Sequence, residues 1–216
     1  MRAIKHYWAF TNWIYRLVVL LVIPLVMIGV NVWGFFSDDR FILAIALVMY
    51  FMFLPVVDVM SDFWLLSGFY AKGNGSLEFL QSTTKFKPMV RDVVIVDILR
   101  RVAVYMGLFG VMCFVFVSKD VPVYNIVWNF GYMPVLELCL SQTAVVVSRF
   151  FRGANQVYAC AMFTVAVNAF FMTGTAHLED SVKQMIIIAL AVMAVLMMIL
   201  TVVVSLKKVR ESYYDK

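Results

Sequence analysis

The fragment "GYMPVLELCLSQ" places a carboxylate, Glu137, inside an otherwise apolar run. Pro134, Glu137 and Ser141 follow at intervals of three and four, so a helix puts all three on one face. Proline lacks an N–H and its ring crowds the preceding turn, which predicts a kink just before the carboxylate. An ionisable group within a bilayer is costly and is by default a functional hypothesis. One reading is a carboxylate facing a substrate cavity or a subunit interface. The other is a protonated or hydrogen-bonded Glu satisfied by Asn168, Thr164 or Asn31 from neighbouring helices.

A second polar set lies in "VVDVMSDFW" and "ILRRV". Asp58 and Asp62 are four residues apart and share a helix face, and Arg100 and Arg101 fall at the same expected depth on the next helix. The pattern predicts inter-helix ion pairs. A metal site is not expected, because no further carboxylate or histidine is near and His6 and His177 are predicted on opposite sides of a membrane. Cys113, Cys139 and Cys160 sit in apolar runs without a C-x-x-C and read as small buried hydrophobes. The chain has no G-x-x-x-x-G-K, H-E-x-x-H or G-x-S-x-G. With neither a nucleotide cradle nor a catalytic set, it is not expected to be an enzyme or to carry a cofactor.

The elements that must position these residues follow from composition. Of 216 residues 64% are hydrophobic and only 14% charged, with mean hydropathy +0.91, whereas soluble domains are about 25% charged. The expected fold is an all-α integral membrane protein. A net charge of +5 would suggest nucleic acid in a soluble chain; here it reports topology, and no nucleic-acid partner is expected.

A span needs about 20 mainly apolar residues, and six windows qualify, near 14–36, 41–63, 99–118, 124–148, 155–175 and 184–206. The first lacks a small-residue cleavage site and reads as a span rather than a signal peptide. With the N-terminus in the cytoplasm, all 18 Lys and Arg residues except Arg40, Lys119 and Lys183 lie inside, as the positive-inside rule requires. Both termini are then cytoplasmic, and residues 1–216 form one membrane domain. The opening "MRAIKHYWAFTNWIYR" mixes basic and aromatic side chains suited to the headgroup layer. It reads as an interfacial helix over 1–13 turning into the first span, or as the aromatic end of one long helix.

The long polar segment between the second and third spans contains "GNGSLEFLQSTTKFKPMVRD". Its glycines end the incoming helix, Ser76 is an N-cap, and Glu78 sits in the first turn, where negative charge suits the helix dipole. Leu77, Phe79 and Leu80 give this short cytoplasmic helix an apolar edge, and Pro88 opens the next helix. Such an edge suits a groove on a partner; the alternative is a helix lying on anionic lipid, held by Lys72, Lys85 and Lys87.

In this layout the chain is similar to the permease subunits of ABC-2-type exporters, over nearly its whole length and by architecture rather than by a motif. The resemblance implies a bacterial cytoplasmic-membrane protein in which Ser76, Leu77, Glu78, Phe79 and Leu80 belong to a coupling helix. That helix would dock on a separate ATP-binding subunit holding ATP and Mg, with "RFFRGANQ" a minor second contact. A second permease copy or paralogue would complete the pathway. Family members often carry short re-entrant helices between the fifth and sixth spans, and "TGTAHLEDSVKQ" is too short for a full pair. That suits a smaller exporter of amphipathic peptides or lipids. The alternatives are a substrate-binding membrane subunit of a vitamin-type importer, or a non-transporting membrane scaffold or immunity protein.

Overall fold

The computed structural model of the chain describes residues 2–11, 13–37, 49–60, 83, 85–150 and 154–214. Among these the regular structure is entirely helical. The helices are α1 (Arg2–Phe10), α2 (Trp13–Phe36), α3 (49–60), α4 (Phe86–Val117), α5 (Val123–Phe130), α6 (Tyr132–Phe150), α7 (Ala154–Gly174) and α8 (Asp180–Tyr214). Arg16–Val22 of α2 and Met49–Phe53 of α3 are π-helical.

The N-terminal segment is a separate helix, not the end of one long one. At its C-terminus the Thr11 hydroxyl donates to Trp8 O at 3.1 Å. Arg16 then reaches back from α2, donating from Nε to Thr11 Oγ1 at 2.9 Å, from Nη2 to Thr11 O at 2.8 Å and also to Trp8 O. Its guanidinium sits 4.7 Å from the centre of the Trp8 ring. A cation thus caps carbonyls that the end of α1 would otherwise leave unpaired. The turn it holds lays α1 against α4, where Tyr7, Tyr15 and Val19 pack with Phe86, Val90, Val93 and Val94.

The expected third span, 99–118, is the second part of a much longer helix. At 1.5 Å per residue, the 32 residues of α4 reach about 48 Å, against a hydrocarbon core of about 30 Å. The excess at the N-terminal end is the part that α1 covers. Val202 and Leu206 of α8 join the same cluster, so the start of α4, the end of α8 and α1 share one end of the bundle. At the opposite end the Lys119 ammonium donates to Ser37 O at 3.2 Å, and Lys183 donates to Asn129 Oδ1 at 2.8 Å.

The expected fourth span divides into α5 and α6, and the break falls at Gly131, not at Pro134. The Gly131 N–H donates to Val127 O at 2.8 Å, and a Cβ there would lie 2.3 Å from that oxygen. Pro134 consequently falls in the first turn of α6, where its missing N–H leaves no helical bond unmade. The Val123–Val147 stretch is the most enclosed: 72% of its apolar 18-residue window is buried, against 11% of that in Asp180–Lys207. Helix α6 is therefore the central column. It packs most extensively on α8, then on α7 and α4.

Among the described residues four helical stretches are long and apolar enough to cross a membrane: Trp13–Phe36, Phe86–Val117, Val123–Val147 and Asp180–Lys207. They match four of the six expected windows and are compatible with a multi-pass membrane protein. The apolar part of α7, Tyr158–Gly174, is shorter, and residues 41–48 and 61–63 of the 41–63 window lie outside the described residues. Apolar cavities lie between described helices. One, of about 420 Å³, separates α2 from α3 between Val18, Met27, Met49 and Met60. Another, of about 300 Å³, lies between α6 and α7 beside Leu140 and Phe163.

Replacing Gly131 with Ala is expected to force the α5–α6 corner open. The variant should lose about 1–3 kcal/mol, as overpacked sites do, in unfolding titrations in mixed micelles. Gly107→Ala, whose added Cβ would meet nothing within 4 Å, should be neutral or slightly stabilising.

A buried ion cluster and a lone carboxylate as candidate functional site

Asp97, Arg100 and Arg101 stand three and four residues apart on α4, so their side chains share one face. That face meets Asp58 near the end of α3. Arg100 Nη2 lies 2.5 Å from Asp58 Oδ1, and its Nε lies 3.2 Å from Asp97 Oδ1. Arg101 Nη2 lies 2.9 Å from Asp97 Oδ2, and its Nε lies 3.4 Å from Asp58 Oδ2. Each carboxylate therefore touches both guanidiniums, closing a ring of two negative and two positive charges. The ring is deeply placed: Asp58, Asp97 and Arg101 are 3%, 3% and 1% exposed.

A buried charge is tolerated only when it is matched and its remaining lone pairs and protons are met. Three helices beyond α3 and α4 contribute to this. From α6, Ser141 O accepts from Arg101 Nη1 at 3.3 Å. From α2, the Tyr15 hydroxyl donates to Asp97 Oδ1 at 3.4 Å. Tyr15 has a single proton, so Tyr7 of α1, with its oxygen 2.8 Å away, supplies the donor between them. Burial, and then the negative charge of Asp97, raise the pKa of Tyr7 above the ordinary phenol value, which keeps that donor protonated. On α4 itself, the Tyr105 hydroxyl donates to Asp58 Oδ2 at 3.4 Å, while Tyr50 of α3 donates to Tyr105 O at 2.7 Å. Nearer the α1 end, His6 Nδ1 lies 2.9 Å from Asp92 Oδ2.

One helical turn from Ser141, Glu137 is 0% exposed. Neither of its oxygens closes a hydrogen bond of good geometry. Asn168 of α7 is its polar neighbour, and Asp58 is within electrostatic reach. The other polar side chains proposed as its partners serve their own helices: Asn31 donates to Met27 O and Thr164 to Cys160 O, both at 2.8 Å. Ser141 donates to Leu138 O at 3.2 Å.

The structure thus brings together Asp58, Arg100 and Arg101 in one cluster, and Glu137 and Asn168 beside it. Asp62 and the whole of Ser76, Leu77, Glu78, Phe79 and Leu80 lie outside the described residues. Asp97 is not singled out in the sequence reading. Its spacing from Arg100 and Arg101 is the signal that identifies it. Tyr7, Tyr15 and Tyr105 carry no comparable signal, since aromatic residues are abundant and their partners are remote in sequence. Among the described residues no group of three or more His, Cys, Asp or Glu is placed to hold a metal ion. Comparison with protein-family models, curated proteins and solved structures finds no match to this chain.

Asp58→Asn or Asp97→Asn leaves the cluster with one unbalanced guanidinium. Each is expected to cost about 3–5 kcal/mol in denaturant titrations of the detergent-solubilised chain. Tyr15→Phe removes a single hydrogen bond to a charged group and should cost about 1.5–3 kcal/mol.

Proposed function

We propose that this chain is the membrane subunit of an ATP-driven exporter, moved by a separate ATP-binding subunit bound at the α1 end of the bundle. In this reading the chain has six spans with both termini in the cytoplasm, and it works with a second copy or paralogue in a bacterial cytoplasmic membrane. The substrate is an amphipathic peptide or a lipid. ATP and Mg belong to the partner.

The observation that carries this reading is the ion cluster. It joins α3 to α4, the two helices between which residues 61–85 run. A partner pulling on Ser76–Leu80 would act on both helices at a point where four charges tie them together. Arg101 extends the tie to α6 through Ser141, and Asp97 extends it to α2 and α1 through Tyr15 and Tyr7. A load applied at one loop therefore reaches five helices without crossing a soft contact. The cations on α1 and at the start of α4, among them Arg2, Lys5, Lys85, Lys87 and Arg91, agree with a cytoplasmic placement of this end.

The test is capture of an ATP-binding protein with the tagged full-length chain from its own host membranes. Changing Leu77, Phe79 and Leu80 together to Asp should reduce capture about tenfold or more, as expected when an apolar anchor is lost. Lys119→Glu, at the opposite end, should leave capture unchanged. Undiminished capture by the triple variant would remove the docking assignment.

A further inference from the structure

The charge balance within the bundle points to a ligand that the exporter reading does not require. Asp58 and Asp97 are matched one for one by Arg100 and Arg101, leaving no positive charge over. Glu137 adds a third carboxyl to the same buried region. The guanidinium placed nearest along α6 is that of Arg101, which sits a turn away at Ser141 O with its charge already matched. An ionised Glu137 would leave one uncompensated negative charge inside the bundle, at a cost far above that of taking up a proton.

The groups around Glu137 offer no other compensation. From α3 come Tyr50 and Asp58, and from α4 comes Tyr105, with the matched Arg101 a turn away at Ser141 O. From α7 comes the neutral amide of Asn168. Residues 184–206 of α8 and 17–36 of α2 contain no titratable side chain at all. Nor is there room for a larger ligand. Glu137 is fully enclosed, and it lines neither the 420 Å³ nor the 300 Å³ cavity.

We propose that Glu137 is a proton-binding site, and that release of its proton is coupled to separation of α6 from α3, α4 and α7. The site is neutral and closed with the proton bound. Losing the proton leaves a carboxylate that the neutral amide of Asn168 can bond but not balance; its charge is met only by water or a displaced Arg101, and either requires α6 to move. The hinge for such movement is at hand. The regular run of α5 ends at Gly131, whose N–H makes the last bond back to Val127 O, so this corner is where α6 can turn relative to α5.

The test uses the full-length chain in lipid nanodiscs between about pH 6 and pH 10, where ordinary carboxylates, with pKa values near 4, are ionised throughout. Infrared spectra of the wild type should carry the C=O stretch of a neutral carboxylic acid that is lost as pH rises. Glu137→Gln should lack that band at every pH, and Glu137→Asp should restore it. Hydrogen–deuterium exchange of the 132–150 amides, compared at each pH, should become faster in the wild type than in Glu137→Gln as the band disappears. The proposal fails if the wild type has no such band or if the Gln variant keeps it. It fails equally if the band persists unchanged to the alkaline limit, or if the two proteins exchange alike at every pH.

Discussion

The bundle is organised around one requirement: two arginine side chains buried among apolar helices must meet two carboxylates, with nothing left over. Arg101 is among the largest fully buried side chains in the protein, and a guanidinium is the one basic group that cannot escape by losing its proton. Asp97 is built into the same helix, but a single carboxylate cannot match two cations. Asp58 has to arrive from α3, which fixes the register of that helix against α4. The Tyr15 donor to Asp97 fixes α2 in turn, and the Tyr7–Tyr15 contact gives α1 a reason to fold back. Packing alone would not distinguish these registers so sharply. Val, Leu and Phe sliding by one turn past similar residues changes little, whereas a slipped charge costs several kcal/mol.

Elsewhere the bundle deals with polar groups locally. The hydroxyls of Thr143, Thr164, Thr175 and Thr201 each donate to the carbonyl four residues earlier, at 2.7–2.8 Å. Asn31 does the same with its amide. Such bonds let a polar side chain live inside a bilayer without help from another helix. They also constrain nothing between helices, so the apolar grooves beside them are free to differ in width. At the α1 end the polar groups that link helices are the ion cluster, its tyrosines and the His6–Asp92 pair; at the opposite end Lys183 links α8 to α5; and Glu137 stands apart from both kinds.

How much of this was legible in the sequence depends on the range of the interaction. The helical class, the apolar stretches and the opening of a helix at Pro88 are local and were readable from hydropathy and punctuation. The pairing of Asp58 with Arg100 and Arg101 was readable because both sets fall at the same end of adjacent apolar windows. Asp97 was readable in principle from its spacing and was passed over because charge at the start of a helix has an ordinary solvated explanation. The break at Gly131 was misplaced by three residues because proline is the louder signal. The decisive contact there is between a glycine and a carbonyl four residues back, which only the folded corner reveals. The tyrosines that complete the cluster join residues 8 to 82 positions apart, a separation at which one sequence carries no pairing information.

The distribution of tight and loose contacts suggests how such a bundle would move. The α1 end is tied by charges across α1, α2, α3, α4 and α6, and relative motion there means separating ions in a medium of low dielectric constant. Beside this cluster, α2 and α3 part around an apolar cavity of about 420 Å³ whose lining includes Val57 and Met60, on either side of Asp58, and both helices pass it in π-helical turns. A π turn carries an extra residue and interrupts the regular ladder, which makes it a natural point of bending. Helix α8 has few fully buried residues but runs along α6, the central column. A load entering at the tied end would therefore travel through it as through a rigid block and be taken up where α2 and α3 are already apart. The charges do not open anything themselves; they hold α3 and α4 in register and leave the apolar contact between α2 and α3 as the looser one.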